Sequence, residues 1–161
     1  MGLLSEDPNI AGLDVAGKCI TANHVGGDYY DYVTLPDNRI AVIVADVVGH
    51  GVAAALLMAK FSAEMRFSLA VESRPDQAVR LLNERFSRTQ QRGFVTMIMT
   101  VIDPQTNEVT IVNAGHMPPI WRHSDGTIDE PGSELSGIPI GIEETVEYEQ
   151  TTIQLEKYFF G

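Results

Sequence analysis

The spacing of apolar residues changes along the chain, and each change predicts a different element. Residues 40–45 form an unbroken apolar run, Ile-Ala-Val-Ile-Val-Ala, between a Pro-Asp-Asn turn and a glycine-containing segment. Such a run is typical of an interior strand that is buried on both faces. Over residues 52–71 the apolar side chains instead recur in steps of four, which predicts an amphipathic helix. The residues that define this helical stripe are Leu57, Phe61, Met65 and Leu69.

The pattern after this helix predicts a second helix and a hairpin. Pro75 and Asp76 begin the second helix, since proline and an acidic residue both favour the first helical turn. Gly93 marks its end. Residues 94–102 and 108–113 are apolar-rich stretches joined by an Asp-Pro-Gln-Thr-Asn turn, which predicts a β-hairpin.

Strands are also expected near both ends of the chain. Residues 13–22 are predicted to form a first strand, and residues 151–155 alternate between polar and apolar side chains as a last one. Antiparallel hairpins with two consecutive helices between them predict an α+β fold rather than a series of βαβ units.

Two aspartates mark the candidate site. Asp46 ends the apolar run, where a buried carboxylate must be paired or metal-bound to remain charged. Asp28 begins the preceding predicted strand, directly after Gly26 and Gly27. A hairpin through residues 36–38 brings both carboxylates to the same edge of the sheet. Either aspartate alone could simply cap a turn, but the pair within this glycine framework favours a site.

Composition narrows the class of protein. With 161 residues, 44% of them hydrophobic, residues 1–161 are expected to form one domain with its own core. The net charge of −11 argues against a nucleic-acid partner, because phosphate backbones attract clusters of lysine and arginine. A single cysteine, Cys19, cannot form an internal disulfide, and no apolar run is long enough to span a bilayer. A cytoplasmic protein without membrane association is the expectation.

Four motifs then occur in a specific order. They are Gly-Gly-Asp-Tyr-Tyr-Asp at residues 26–31, Ala-Asp-Val-Val-Gly-His-Gly at 45–51, Gly-Phe-Val-Thr-Met at 93–97 and Asn-Ala-Gly-His-Met-Pro-Pro at 113–119. Their order and spacing, from about residue 22 to residue 155, resemble the metal-dependent type 2C serine/threonine protein phosphatases of bacteria, in their SpoIIE-like branch. One such motif alone would be weak, whereas four in order are specific.

The resemblance implies a fold and a mechanism. The family fold is an antiparallel β-sandwich flanked by helices. Its activity is the hydrolysis of phosphoserine or phosphothreonine by a metal-bound hydroxide, with two Mn²⁺ or Mg²⁺ ions. By this resemblance Asp28 and Asp46 are the catalytic metal ligands, Asp46 bridges the two ions, and the backbone carbonyl of Val47 joins the metal shell. Carboxylate and carbonyl oxygens are the donors that these hard cations prefer.

The resemblance also implies partners. Relatives act in bacterial signalling by partner switching, so a phosphoprotein substrate such as an anti-sigma-factor antagonist is expected. They usually carry this domain behind a sensor or receiver domain. We therefore expect the two helices, over residues 52–71 and 74–92, to form an exposed surface that transmits a signal and could serve as a homodimer contact.

The end of the chain departs from the family pattern. Relatives continue into a Thr-Asp-Gly strand and a later Asp-Asp strand, each of which supplies a metal carboxylate. Here Glu156 and Lys157 stand where Gly-Asp is usual, and the sequence ends at Gly161. The domain is therefore expected to be truncated at its C-terminus, without the last strands and with weak metal binding. The alternative is a catalytically inactive regulatory or binding module of the same fold.

Three other polar residues near the motifs have competing interpretations. His50 and His116 could be ligands or bases of a histidine-based metallohydrolase, but both are expected to brace the loops of the site. Asp31 is expected to be a structural hydrogen-bond acceptor rather than a ligand. Cys19 has no evident base partner, and no Gly-x-Ser-x-Gly motif is present, so a nucleophilic triad is not supported.

Overall fold

The structure is a computed structural model that describes residues 13–19, 27–88 and 93–156. It confirms the predicted α+β class: a five-stranded antiparallel sheet carries two helices on one face. The elements are β1 (Asp28–Thr34), β2 (Ile40–Val47), α1 (Gly51–Val71), α2 (Pro75–Ser87), β3 (Val95–Asp103), β4 (Glu108–Ala114), β5 (Trp121–Arg122), β6 (Ile128–Asp129), a short 3₁₀ helix (Ser133–Leu135) and β7 (Gln150–Gln154). The strand order is β1-β2-β3-β4-β7, and β5 pairs with β6 in a separate ribbon.

The main core lies between the sheet and the helices. Every second residue of β2 and β3 points to the helices and is buried, as the period of a strand requires. Phe61 of α1 lies at the centre of this layer and meets the rings of Tyr29 and Phe86 edge-on, with centroid distances of 5.8 and 6.2 Å. The core side chains of β2 and β3 are Ala41, Ile43, Ala45, Val47, Val95, Met97, Met99 and Val101.

The prediction that residues 40–45 are buried on both faces is wrong for part of the run. Val44 is 41% exposed and Asp46 is also exposed, because the helices cover only one face of β2. We call the opposite face the open face. Its far end carries a smaller apolar cluster that includes Ile98, Val109 and Ile111. Among the described residues, the only other sheet is the two-stranded β5–β6 ribbon, so a full second sheet of the expected sandwich is not observed there.

The predicted first strand is also not observed as such. Residues 13–19 have no regular strand apart from a β-bridge at Leu13, and residues 20–22 lie outside the described residues. The segment instead lies against two side chains of β1. A Cβ on Gly17 would come within 2.6 Å of the Tyr30 and Tyr32 side chains, and the hydroxyl of Tyr30 donates to the carbonyl of Gly17 at 3.3 Å.

The helices begin where the sequence predicts. α2 has Pro75 in its first turn and ends at Ser87, earlier than the predicted end at Gly93; residues 89–92 of the expected helical surface lie outside the described residues. Both helices bury one face in the core, while α1 also exposes Val52 and Leu56. The homodimer contact stays a prediction. In the parts of the chain that are described, neither helix has the length and apolar character that crossing a membrane requires.

A buried aspartate fastens α1 to β1. Asp31 is fully buried and accepts hydrogen bonds from the Tyr29 hydroxyl at 2.7 Å and from the backbone N–H of Tyr32 at 2.9 Å. The guanidinium of Arg66 on α1 donates to the same carboxylate at 2.6 Å. Burial, together with the neighbouring Asp31, raises the pKa of Tyr29, so its hydroxyl remains a donor. Asp31 is thus a structural acceptor in this structure, as the sequence suggested.

His123 joins the β5–β6 ribbon to the end of β7. Its Nε2 lies 2.7 Å from a carboxylate oxygen of Asp129, and its Nδ1 lies 3.4 Å from Glu156. Trp121 stacks on the imidazole with a centroid distance of 4.1 Å. The hydrogen bond to Asp129 raises the pKa of His123, and the bond to Glu156 acts in the same direction.

We expect Asp31→Ala to lower the free energy of unfolding by about 2–4 kcal/mol, because the Tyr29 hydroxyl, the Tyr32 amide and the Arg66 guanidinium all lose the carboxylate to which they donate. Urea unfolding measures this difference. Asp37→Ala is the matched control: Asp37 pairs with Arg39 on the surface, so its loss should cost less than about 1 kcal/mol. Equal losses in the two variants would contradict the structural role of Asp31.

We expect the contribution of His123 to depend on pH. Since its folded-state pKa is raised, its interactions stabilise the protein fully below the ordinary histidine pKa of about 6.5 and are lost as the pH rises through the folded-state value. His123→Gln should therefore lower the Tm more at pH 5.5 than at pH 8.5. Thermal unfolding at the two pH values measures it, and a pH-independent difference would contradict the expectation.

Candidate metal centre

Asp28 and Asp46 lie directly opposite each other. The register of β1 and β2 pairs Asp28 with Asp46, so the hairpin brings the two predicted site residues together at one edge of the sheet. Directly paired residues have Cα atoms about 4.5–5.5 Å apart. Both side chains are exposed on the open face, and none of the ion pairs found among the described residues involves them. A cation between them would relieve the repulsion of two adjacent carboxylates.

Gly27 shapes the space beside these carboxylates. Its carbonyl accepts a hydrogen bond from the Val47 amide at 3.0 Å. A Cβ at this position would lie 2.6 Å from the carbonyl oxygen of Val47 and 3.2 Å from Oδ1 of Asp46. A glycine thus leaves room next to two of the three predicted ligand atoms. Two carboxylates and a carbonyl are hard oxygen donors, so the residues present suit Mg²⁺ or Mn²⁺.

His116 borders the pair of aspartates. Its Nδ1 lies 2.9 Å from Oγ1 of Thr96, and Asn113 holds its backbone on both sides: the side chain accepts from the His116 amide and donates to the His116 carbonyl. Burial lowers the pKa of His116, while Asp46 and Asp28 act in the opposite direction. The structure therefore supports the bracing role expected of His116.

Thr96 was not identified as a site residue from the sequence. It lies opposite Asp46 in the β2–β3 register, on the same face of the sheet. The sequence feature that could have identified Thr96 is the Gly-Phe-Val-Thr-Met motif at residues 93–97. Because Thr96 directly follows the buried Val95 in a strand, its side chain faces away from the core. Its hydrogen bond links β3 to the loop that carries His116.

His50 is placed differently from His116. It is exposed at the N-cap of α1, where its side chain makes no capping hydrogen bond, and Gly49 and Gly51 on either side have positive φ angles of 115° and 72°. The expected bracing contact of His50 is therefore not observed. Its glycine neighbours allow the sharp turn from β2 into α1 that follows Val47.

A cleft of about 430 Å³ opens beside the aspartates. Asp28, Asp46 and His116 lie at one end, and Tyr30, Tyr32, Val42 and Val44 extend it along β1 and β2, with residues 16–19 along its side. Within the described ranges, no group of three or more His, Cys, Asp or Glu side chains forms a metal-binding cluster. The candidate metal ligands are therefore the carboxylates of Asp28 and Asp46 and the backbone carbonyl of Val47. That these three groups bind a metal ion stays a prediction.

Comparisons with known proteins agree with this fold. The family described as Stage II sporulation protein E (SpoIIE) matches residues 36–158. Phosphoserine phosphatase RsbU of Bacillus subtilis is 28% identical over 152 residues, which is 93% of this chain and 44% of that protein. Phosphoserine phosphatase RsbP of the same organism is 27% identical over 137 residues, covering 82% of this chain and 34% of that protein. The chain thus spans less than half the length of these curated relatives.

Solved structures with the same fold include two bacterial proteins. The RsbU and RsbW domains of Rv1364c from Mycobacterium tuberculosis match 85% of this chain and 38% of that one, with a TM-score of 0.71 and 28% identity. The phosphatase domain of the cell fate determinant SpoIIE from Bacillus subtilis, solved with a fragment of its regulatory domain, matches 83% of this chain and 39% of that one, with a TM-score of 0.68 and 23% identity. The second similarity concerns the fold alone.

We expect Mn²⁺ to raise the Tm of the wild-type chain, because an ion that binds only the folded state stabilises it. Asp46→Asn should abolish the shift, and Gly27→Ala should reduce it, since the added methyl group crowds the Val47 carbonyl. Thermal unfolding with millimolar MnCl₂ and with EDTA measures both. Asp125→Asn, on the exposed turn between β5 and β6, is the control and should keep the wild-type shift. An equal shift in Asp46→Asn and wild type would mean that Asp46 is not a ligand.

Proposed function

Because the chain belongs to the Stage II sporulation protein E (SpoIIE) family, we propose that it is a metal-dependent phosphatase domain that hydrolyses phosphoserine or phosphothreonine in proteins. The observation that carries this proposal is the direct pairing of Asp28 with Asp46 on the open face, beside the Val47 carbonyl and the space left by Gly27. The two curated relatives named as phosphoserine phosphatases support the same substrate class.

The chemistry follows from the charge of the substrate. A phosphate monoester repels nucleophiles, and a pair of Mn²⁺ or Mg²⁺ ions, when bound, neutralises its oxygens and activates water for attack. Asp28, Asp46 and the carbonyl of Val47 would hold these ions. The hydrogen bond between Thr96 and His116 fixes the wall of the site next to Asp46. The cleft, open to solvent at the sheet edge, leaves the phosphorylated segment of a protein room to enter.

We further propose a role in bacterial partner switching. In this role the substrate is a small phosphoprotein such as an anti-sigma-factor antagonist, and a sensor or receiver domain controls the activity. The length of the curated relatives, of which this chain matches 34–44%, is compatible with additional domains. The exposed apolar residues of α1 are the surface through which such a domain could act on the helices.

A second candidate function is a binding module that retains the fold without catalysis. The observation that favours it is the small ligand set: among the described residues, two carboxylates are brought together, and no third His, Cys, Asp or Glu completes a cluster. Such a module would bind the phosphoprotein without hydrolysing it. The two candidates therefore differ in turnover and not in recognition.

We expect the domain to hydrolyse p-nitrophenyl phosphate and a phosphoserine peptide in the presence of Mn²⁺, and Asp46→Asn to lower the rate by at least about a hundredfold, because the charge that holds the metal is lost. The assay should use both residues 1–161 and the full-length product of the gene that encodes them. Asp125→Asn is again the control and should retain the wild-type rate.

Turnover by either form, lost in Asp46→Asn, supports the phosphatase. If neither form shows turnover at any Mn²⁺ or Mg²⁺ concentration while a phosphoserine peptide still binds, the phosphatase proposal fails and the binding module stands.

A further inference from the structure

Asn83 is a buried polar residue of α2 that the proposed chemistry does not use. Its side chain is fully buried and binds the backbone of one loop, residues 137–144, which we call the strap. We propose that Asn83 is a positioning residue: through the strap it holds the backbone segments that carry Thr96 and His116 beside the aspartates. This inference rests on the proposed phosphatase function, since it concerns the same site.

The side-chain amide of Asn83 binds the strap with its nitrogen and with its oxygen. Its Nδ2 donates to the carbonyls of Glu143 at 2.8 Å and Glu144 at 3.1 Å, and its Oδ1 accepts from the amide of Gly141 at 2.9 Å. An asparagine offers two donors and one acceptor oxygen, so one side chain serves three backbone groups of the strap. An apolar residue at this position would leave all three groups without this partner.

The strap is also bonded to the strand that carries Thr96. The amide of Ile140 donates to the carbonyl of Val95, and the amide of Val95 donates back to the carbonyl of Ile140, both at 2.9 Å. Ile140 is fully buried in the main core, so packing fixes its position as well. Val95 directly precedes Thr96 in β3, and Thr96 lies opposite Asp46 in the register. A shift of the strap at Ile140 would therefore move the β3 backbone next to Thr96.

A second set of contacts joins the strap to the loop that carries His116. The amide of Gly137 donates to the carbonyl of Asn113 at 3.0 Å. Pro139 lies against Gly115, where an added Cβ would come within 2.6 Å of the Cγ atom of Pro139. The side chain of Asn113 in turn bonds both the amide and the carbonyl of His116. The strap thus contacts the residue directly before His116 and the residue that braces it.

Both sets of contacts converge on one hydrogen bond. Oγ1 of Thr96 and Nδ1 of His116 lie 2.9 Å apart, and Thr96 lies opposite Asp46. The strap holds the backbone at both ends of this bond, and Asn83 holds the strap. Closely packed segments transmit small displacements, and a small misplacement of groups around a reacting centre can lower the rate strongly. Loss of the Asn83 bonds should therefore disturb the wall of the site although none of these bonds reaches the site itself.

The first test measures turnover of p-nitrophenyl phosphate with MnCl₂ by the full-length product of the gene. Asn83→Ala should lower kcat about tenfold and change KM by less than about twofold, because the substitution misplaces the wall of the site without removing a contact to the substrate. Leu69→Ala is the control: Leu69 is buried beside Leu35, at the end of the sheet opposite the aspartates, and its loss should leave kcat unchanged. An equal loss of kcat in both variants would reflect general destabilisation and overturn the proposal.

Pro139 tests the strap itself. Pro139→Ala removes the ring atoms that contact Gly115 and leaves the Asn83 bonds in place, so kcat should fall by about threefold. Pro131→Ala, in the same loop region but outside the strap, is the matched control and should keep the wild-type kcat. The double variant of Asn83 and Pro139 should lose no more than Asn83→Ala alone, because both changes act through the strap. Additive losses, or an unchanged kcat in Pro139→Ala, would overturn the proposal even where Asn83→Ala does not fold.

Hydrogen exchange gives a readout that does not depend on turnover. In the metal-free protein, Asn83→Ala should raise the amide exchange rates of residues 94–97 and 113–118 at least about tenfold more than those of β1, because only the segments held by the strap are loosened. The amide of His116, which donates to the Asn113 side chain at 2.8 Å, lies in the second of these segments. Leu69→Ala should show no such local increase. A uniform increase over the whole domain in Asn83→Ala would mean global destabilisation alone and would contradict the positioning role.

The failure of this inference is distinguishable from the failure of the phosphatase proposal. If Asn83→Ala raises exchange locally while the wild-type protein shows no turnover, Asn83 holds the loop of His116 as proposed but the domain is not a phosphatase. If the wild-type protein shows turnover while Asn83→Ala keeps the wild-type kcat and local exchange rates, the domain is a phosphatase and the positioning role of Asn83 is wrong.

Discussion

The register between β1 and β2 is the constraint on which the candidate site depends. Because side chains alternate between the two faces of a strand, a slip of one residue would move Asp28 away from Asp46 and turn one of the strands over. The turn after β1 holds this register locally, with the amide of Leu35 donating to the carbonyl of Arg39 at 2.8 Å. Packing against the helices also fixes this register, because a slip of β2 by one residue would expose Ile43 and bury the charged Asp46.

Two aspartates of the same strand show how this alternation separates stability from chemistry. Asp28 and Asp31 are three residues apart, so they point to opposite faces of β1. Asp31 enters the helix layer, where Tyr29 and Arg66 satisfy its charge and it fastens α1 to the sheet. Asp28 remains on the open face beside another carboxylate, a poor arrangement for stability but a suitable one for a cation.

Much of this could be predicted from the sequence. The hairpin that pairs Asp28 with Asp46 follows from local signals: an apolar run, a Pro-Asp-Asn turn and two glycines. The exposure of Val44 did not follow, because an apolar run looks the same whether one or both faces are covered, and coverage depends on elements far away in the chain. Thr96 was missed for a similar reason, since its position opposite Asp46 depends on the pairing of strands separated by both helices.

Two glycines near the candidate site, Gly17 and Gly27, occupy positions where a larger residue would collide with its neighbours. Gly17 leaves space for the rings of Tyr30 and Tyr32, and Gly27 leaves space for the Val47 carbonyl and the Asp46 carboxylate. In both places a methyl group would meet its nearest neighbour at 2.6 Å, shorter than real side chains allow. Gly17 lines the cleft, and Gly27 lies next to Asp46, which lines the cleft as well. The backbone therefore passes close to the Tyr30 and Tyr32 rings at one glycine and to the Asp46 carboxylate at the other, and a larger residue at either position would displace these side chains.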